Sequence, residues 1–205
     1  HSCEAISDLM SSHLQRWLVS LILTVPEIAF GQTSLQIDLR DATEESTYSR
    51  YLGSTGNGRF GVPVCGGHDC DGDGHLDVAF AAVIGDPFGR TAAGNVTVVW
   101  GRGAALGETL DTAESGDRIL QIAGAQTREA CGAEIWMDDV DDDGLGDLLV
   151  GRQNFTPAQL RPGAGALTII FGGAELRELS RNDTVLDLLN PPDNIRILNL
   201  LGGRP

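Results

Sequence analysis

Asp69-Cys70-Asp71-Gly72-Asp73-Gly74-His75-Leu76-Asp77 and Asp139-Val140-Asp141-Asp142-Asp143-Gly144-Leu145-Gly146-Asp147 are one loop pattern met twice, about 70 residues apart. Each copy has carboxylates at its positions 1, 3, 5 and 9 and Gly at position 6. A hard cation such as Ca²⁺ asks for this spacing: alternate side chains converge on one point, Gly permits the sharp turn, and the carbonyl of position 7 adds an oxygen. The pattern is not an EF-hand. Position 12, where an EF-hand has a bidentate Glu, is Phe80 in one copy and Val150 in the other. The residues that follow, Val78-Ala79-Phe80-Ala81-Ala82-Val83 and Leu148-Leu149-Val150-Gly151, are short apolar runs of the kind buried strands use.

The repetition reaches beyond the loops. Arg59-Phe60-Gly61 precedes the first, and Ala130-Cys131-Gly132 precedes the second at nearly the same distance. Downstream, Ala93-Gly94-Asn95-Val96-Thr97-Val98-Val99-Trp100-Gly101 matches Gly163-Ala164-Gly165-Ala166-Leu167-Thr168-Ile169-Ile170-Phe171-Gly172. Each is a run of β-formers closed by an aromatic and Gly, hence a strand and a turn. Arg118-Ile119-Leu120-Gln121-Ile122-Ala123-Gly124 has its counterpart in Asn194-Ile195-Arg196-Ile197-Leu198-Asn199-Leu200. The unit predicted is strand, cation loop, strand, connecting loop, strand, linker, strand. Four-stranded units repeated along a chain point to propeller blades or a β-solenoid.

The order Phe-Gly, Asp-x-Asp-x-Asp-Gly-x-x-Asp, apolar strand, Gly-x-Val-x-Val-x-x-Gly resembles the FG-GAP repeat, over roughly residues 55–205. That repeat builds the N-terminal β-propeller of integrin α chains and of many bacterial secreted or surface proteins. The resemblance implies seven blades with calcium loops on one face. Cys131 departs from it by replacing the aromatic of Phe-Gly, and Ala81-Ala82-Val83 and Gly151-Arg152 reduce its Gly-Ala-Pro element. These departures bear on blade packing more than on cation binding.

Repeat one spans about 59–124 and repeat two about 130–200, with residues 34–54 as an outer strand ahead of the first. The fold class expected is all-β: a partial β-propeller of about two four-stranded FG-GAP blades plus the start of a third. Two blades do not close a ring, and repeats need about three neighbours to bury their faces, so the chain reads as a fragment of a longer multi-repeat protein.

Ahead of the repeats, residues 1–31 read as a leader and 32–205 as the propeller fragment. His13-Leu14-Gln15-Arg16 is a short basic start, residues 17–25 form an apolar, helix-like segment, and Ala29-Phe30-Gly31 brings small residues before Gln32. With Met10 as the start, this is the layout of a signal peptide, and the apolar stretch is too short to span a bilayer. Secretion or cell-surface display follows, and it suits the chemistry, because extracellular modules bind Ca²⁺ at ~10⁻⁴–10⁻³ M.

The formal net charge is −15, and ten of the 29 acidic residues sit in or beside the two loops. Such a surface repels nucleic acid, and no basic stripe offsets it. Within each loop the carboxylates repel one another until a cation reverses the local sign, which couples metal binding to local folding. Two Ca²⁺ sites are expected. The first takes the side chains of Asp69, Asp71, Asp73 and Asp77 with the carbonyl of His75, and the second those of Asp139, Asp141, Asp143 and Asp147 with the carbonyl of Leu145. Asp142 and Asp138 face solvent. Turn capping through Asx hydrogen bonds explains one or two such carboxylates, not four at fixed spacing in two copies. Mg²⁺ keeps more of its water and fits this donor count less well than Ca²⁺.

Cys65 and Cys70 flank a short Gly-rich turn, and three readings stay open: a small disulfide in an oxidising compartment, a zinc site with His68 and His75, or free buried thiols. The zinc spacing is not a standard one. Cys131 occupies a packing position. No Gly-x-Ser-x-Gly elbow or phosphate-cradling loop is present, and carboxylates that hold Ca²⁺ are not free general acids, so no enzymatic activity is expected. Trp100 and Trp136 fall in strand patterns and are expected in the core. Asn95, Asn154 and Asn182 each open an Asn-x-Thr triplet, a glycan acceptor in a eukaryotic secreted protein.

The function expected is a non-catalytic, calcium-stabilised scaffold for protein or adhesion contacts, made through the loops around 85–90 and 153–162. The alternative is a glycan-binding module, or the accessory domain of a larger carbohydrate-active enzyme, with Phe88 and Phe155 as the aromatic platforms.

Overall fold

Both copies of the repeat fold as four-stranded antiparallel meanders in the computed structural model. In chain order the strands are β1 (Arg50–Leu52), β2 (Val64–Gly66), β3 (Val78–Ala82), β4 (Asn95–Val99), β5 (Thr109–Asp111), β6 (Ile119–Ala123), β7 (Cys131–Asp138), β8 (Asp147–Arg152) and β9 (Ala166–Ile170). Helix α1 (Ala174–Arg181), β10 (Leu186–Asp187) and β11 (Ile197–Leu201) complete the chain. The structure describes residues 49–54, 58–103, 108–114, 116–157 and 161–203, all within the unit Thr43–Pro205. The proposed leader and the start at Met10 lie outside the described residues. No helix among the described residues is long and apolar enough to cross a membrane.

The first sheet runs β10-β6-β4-β3-β2 and the second β11-β9-β8-β7. Strand register puts Ala79, Val98 and Leu120 in one row and Ala81, Val96 and Ile122 in the next, all on one face of the first sheet. That face packs on Ile135, Met137, Leu148 and Val150 of the second sheet in one continuous core. β4 is buried on both faces, and its uninterrupted run of β-formers follows from that. The second unit approaches the first closely at Gly132, whose φ is +82°. A Cβ there would meet the Ala81 Cβ at 2.8 Å. Gly132 is therefore a packing requirement, whereas a Cβ on Gly61, its counterpart in the first unit, would meet nothing within 4 Å.

The second sheet repeats the same face one unit further on. Leu149, Ile169 and Leu198 form one row and Gly151, Leu167 and Leu200 the next, at the register positions of the six residues that the first sheet buries. Here Leu198 and Leu200 are exposed and Leu149 and Leu167 half-buried, while Ile169 is buried. Trp136 shares this face, 65% exposed, against the expectation of a core residue, whereas Trp100 is fully buried as expected. The reason is the strand period: Ile135 and Met137 point inward, so Trp136 between them points out.

Three features depart from the simple repeat. The linker of the second unit carries α1, with Leu176 and Leu179 in the core, Glu175 in its first turn and Arg181 in its last, as the helix dipole favours. The chain then returns to the first sheet, where β10 pairs in parallel with the edge strand β6. These contacts tie the two units together: Trp100 Nε1 donates to Ser180 Oγ at 2.7 Å, and Arg90 pairs with Asp187 at 2.8 Å. Finally, β1 and β5 form a separate parallel ladder, and the Tyr51 and Phe60 rings lie 5.0 and 5.2 Å from that of Phe80.

Candidate metal centre

The two Asp loops take the same conformation for reasons local to each. The position-1 carboxylate accepts from the N–H groups across the turn: Asp69 from Gly72 (2.7 Å), Asp73 (3.2 Å) and Gly74 (2.7 Å), and Asp139 from Asp143 (3.1 Å) and Gly144 (2.8 Å). Position 5 accepts from the N–H of position 7, so Asp73 takes His75 and Asp143 takes Leu145, each at 2.9 Å. Positions 4 and 6 are left-handed in both copies: Gly72 and Gly74 in the first, Asp142 (φ +62°) and Gly144 in the second. Asp is among the few side chains that tolerate this region, and Asp142 faces solvent as expected.

Position 9 is a clasp. Asp77 is buried and accepts from Cys70 N–H at 2.7 Å and from Gly101 N–H at 2.8 Å. Asp147, equally buried, accepts from Val140 N–H at 2.9 Å and from Gly172 N–H at 2.8 Å. Each carboxylate thus staples its loop to the Gly that follows the third strand of its unit, where a Cβ would stand 2.3 Å from the Leu76 carbonyl oxygen (Gly101) or 2.7 Å from that of Gly146 (Gly172). The loops also adjoin one another. Gly146 N–H donates to the Asp69 carbonyl and Gly173 N–H to the Cys70 carbonyl, both at 2.8 Å. A Cβ on Gly146 would stand 2.4 Å from the His68 Cβ.

In the first loop Asp69, Asp71 and Asp77 bring one oxygen each within 4.8 Å of one another, and in the second Asp139, Asp141 and Asp143 do the same. Asp73 and Asp147 stand outside these triads. His75 and Leu145, the expected carbonyl donors, occupy position 7 in each loop. All-carboxylate donor sets of this kind fit Ca²⁺, a hard cation that takes oxygen ligands in flexible geometry.

The sequence did not reveal that an arginine reaches each loop. Arg177, on α1 and largely buried, donates to Asp71 Oδ2 at 2.7 Å and stands 3.7 Å from Asp73 Oδ2. Arg196, exposed just ahead of β11, donates to Asp141 Oδ2, and its guanidinium lies 3.7 Å from the Phe171 ring centre. Both arginines engage position 3, and both would have to yield or rearrange for that carboxylate to join a cation. Burial raises the Asp71 pKa, outweighing the Asp73 N–H and Arg177, which favour its charge. Burial also pushes Asp77 up to about 6, against the N–H groups of Gly101 and Cys70, and the charges of Asp71 and Asp69 add to the rise.

Among the described residues, Cys65, Cys70 and Cys131 are free thiols. Burial pushes Cys65 up to about 11 and Cys131 up to about 12, and it raises Cys70 as well. Cys131 takes the buried packing position expected of it. Of the aromatics proposed as platforms, Phe88 is 66% exposed, but Phe155 is half-buried with the Arg152 guanidinium 3.8 Å from its ring centre. Asn95 is buried in β4, whereas Asn154 and Asn182 are exposed. No protein-family model matches the chain, and no curated protein matches it.

Proposed function

We propose that this chain is a secreted or surface-displayed calcium-binding module of the FG-GAP type, a non-catalytic section of a β-propeller whose loops serve protein or adhesion contacts. The observation that carries the reading is the pair of Asp loops, alike in backbone, hydrogen bonding and clasp, each gathering three carboxylates within 4.8 Å. The propeller reading draws on the face correspondence. The six positions by which the first sheet receives the second recur, row for row, on the partly exposed face of the second, as stacked blades require. The non-catalytic reading draws on the thiols of Cys65 and Cys131, whose pKa burial raises away from the range of a nucleophilic thiolate.

Calorimetric titration of the full chain with CaCl₂, beside an Asp71→Ala, Asp141→Ala double variant, tests the cation reading. Two binding events in the ~10⁻⁴–10⁻³ M range are expected, lost in the variant. Saturation to one hundred times Kd adds about 2.7 kcal/mol of stability per site, read as a rise in Tm. A folded protein with no calcium heat and an unchanged Tm would overturn it.

A further inference from the structure

The end of the first sheet remote from the Asp loops holds a cavity of about 300 Å³, where β4 begins and β6 ends. Asp86, Phe88, Asn95, Thr112, Glu114 and Gln121 are among the residues that line it. We propose that this cavity binds one neutral sugar ring, stacked on Phe88 and held by hydroxyl hydrogen bonds to Asp86, Asn95 and Glu114. The proposal is independent of the cation reading.

Phe88 is built to present its ring. It sits in a tight turn with φ +53°, a conformation that costs a non-Gly residue about 1 kcal/mol or more. The turn is locked by Gly89 N–H to the Asp86 carbonyl (3.1 Å), Arg90 N–H to the Pro87 carbonyl (3.0 Å) and Ala92 N–H to Asp86 Oδ1 (2.7 Å). A large apolar side chain on a rigid turn, left two-thirds exposed beside a cavity, is the arrangement that ring stacking uses. Its counterpart in the second unit, Phe155, lies under Arg152, so the platform is not repeated.

The polar lining selects the ligand class. Thr97 Oγ1 and Asn95 Nδ2 donate to Gln121 Oε1 at 3.0 and 3.4 Å, and Gln121 Nε2 donates to the Thr112 carbonyl at 2.8 Å. The Gln121 amide oxygen is thereby filled, and it holds the Asn95 amide in place. Asn95 is only 8% exposed and lines the cavity with its amide oriented by Gln121. Asp86 retains a second oxygen, and Glu114 is exposed at the rim. The described lining is rich in acceptors and holds no cation, which excludes anionic ligands. A cation would have to stack beside Arg90, whose guanidinium already lies 5.0 Å from the Phe88 ring centre and is anchored by Asp187. A neutral ring escapes the charge conflict: its hydroxyls donate, and its C–H face covers the part of the Phe88 ring that Arg90 leaves exposed. The volume is at the lower end of small-molecule sites, which suits a single pyranose.

The test is ligand-observed NMR and calorimetry on the full chain with glucose, galactose, mannose, fucose and N-acetylglucosamine, with arginine methyl ester as the cationic probe. At least one sugar is expected to bind with millimolar Kd. Phe88→Ala should weaken it at least about tenfold, the loss of one stacked ring, while Phe88→Tyr retains it. Glu114→Gln separates hydroxyl recognition from stacking and should weaken binding with Tm unchanged. Absence of saturable binding across the sugars overturns the proposal, as does equal binding by Phe88→Ala or a preference for arginine methyl ester over every sugar.

Discussion

Replacing Glu129 by Ala is expected to remove about 4 kcal/mol of stability, because Glu129 is the hub of a fully buried charge network. Both of its oxygens face Arg152, at 3.0 Å to Nε and 3.1 Å to Nη2, and they also accept from Ala125 N–H at 3.0 Å and Gln126 N–H at 2.7 Å. Glu129 is 0% exposed and Arg152 3%. Truncation strands a buried guanidinium, which keeps only Thr168 Oγ1 at 3.4 Å and the Phe155 ring, and orphans two N–H groups. Breaking such a pair costs about 3–5 kcal/mol. With a urea slope of roughly 2 kcal/mol/M, the midpoint falls by about 2 M. Arg152→Met leaves Glu129 its two N–H donors and should cost about 3 kcal/mol, and the double variant should lose well under the sum because no lone charge remains. Arg152 ends β8 while Asp147 begins it, so the losses should be equal in EDTA and in CaCl₂. Urea melts of the three variants decide the matter. A loss below about 1 kcal/mol for Glu129→Ala, or strict additivity, would refute the network as the latch of this corner.

Gly132→Ala combines a left-handed backbone with a 2.8 Å approach to the Ala81 Cβ and should cost roughly 2–4 kcal/mol by thermal melt. Arg177→Gln should tighten calcium at the first loop, since it removes the buried guanidinium that competes for Asp71; Arg196→Gln should change the second loop less because Arg196 is exposed and already screened. Calorimetric affinities of the two variants check both. The calcium-free protein should grow more stable as pH falls from about 7 to about 4: Asp77 titrates near 6 when folded and near 4 when unfolded, so the native state binds its proton first. Saturating calcium should flatten that slope, and Tm against pH with and without the ion measures it.

The alternation of Asp and Gly was enough to read the two loops, because their hydrogen bonds close within the loop itself: Asp69 reaches Gly74 five residues on, and Asp139 reaches Gly144 likewise. The strands were legible for the same reason. The β-former runs at 78–83, 93–101 and 163–172 contain β3, β4 and β9, and the run at 194–200 overlaps all but the last residue of β11, since period and apolarity are local properties. Helix α1 was not seen, although Ala174-Glu175-Leu176-Arg177-Glu178-Leu179 carries a helical spacing of leucines; eight residues are a short signal beside a repeat that predicts a linker there.

What sequence determined by itself is therefore the repeating unit, its order of strands and the conformation of its acidic loops. Tertiary structure alone decided what meets those loops and where the cavities open. Arg177 comes to Asp71 across 106 residues, Arg196 to Asp141 across 55, and Glu129 to Arg152 across 23. The face on which Trp136 emerges, the burial that raises Asp77 and the cavity below Phe88 likewise depend on how the two sheets, α1 and β10 come together. A charge or a ring acquires its role from neighbours brought near by packing, and no spacing along the chain encodes who those neighbours are.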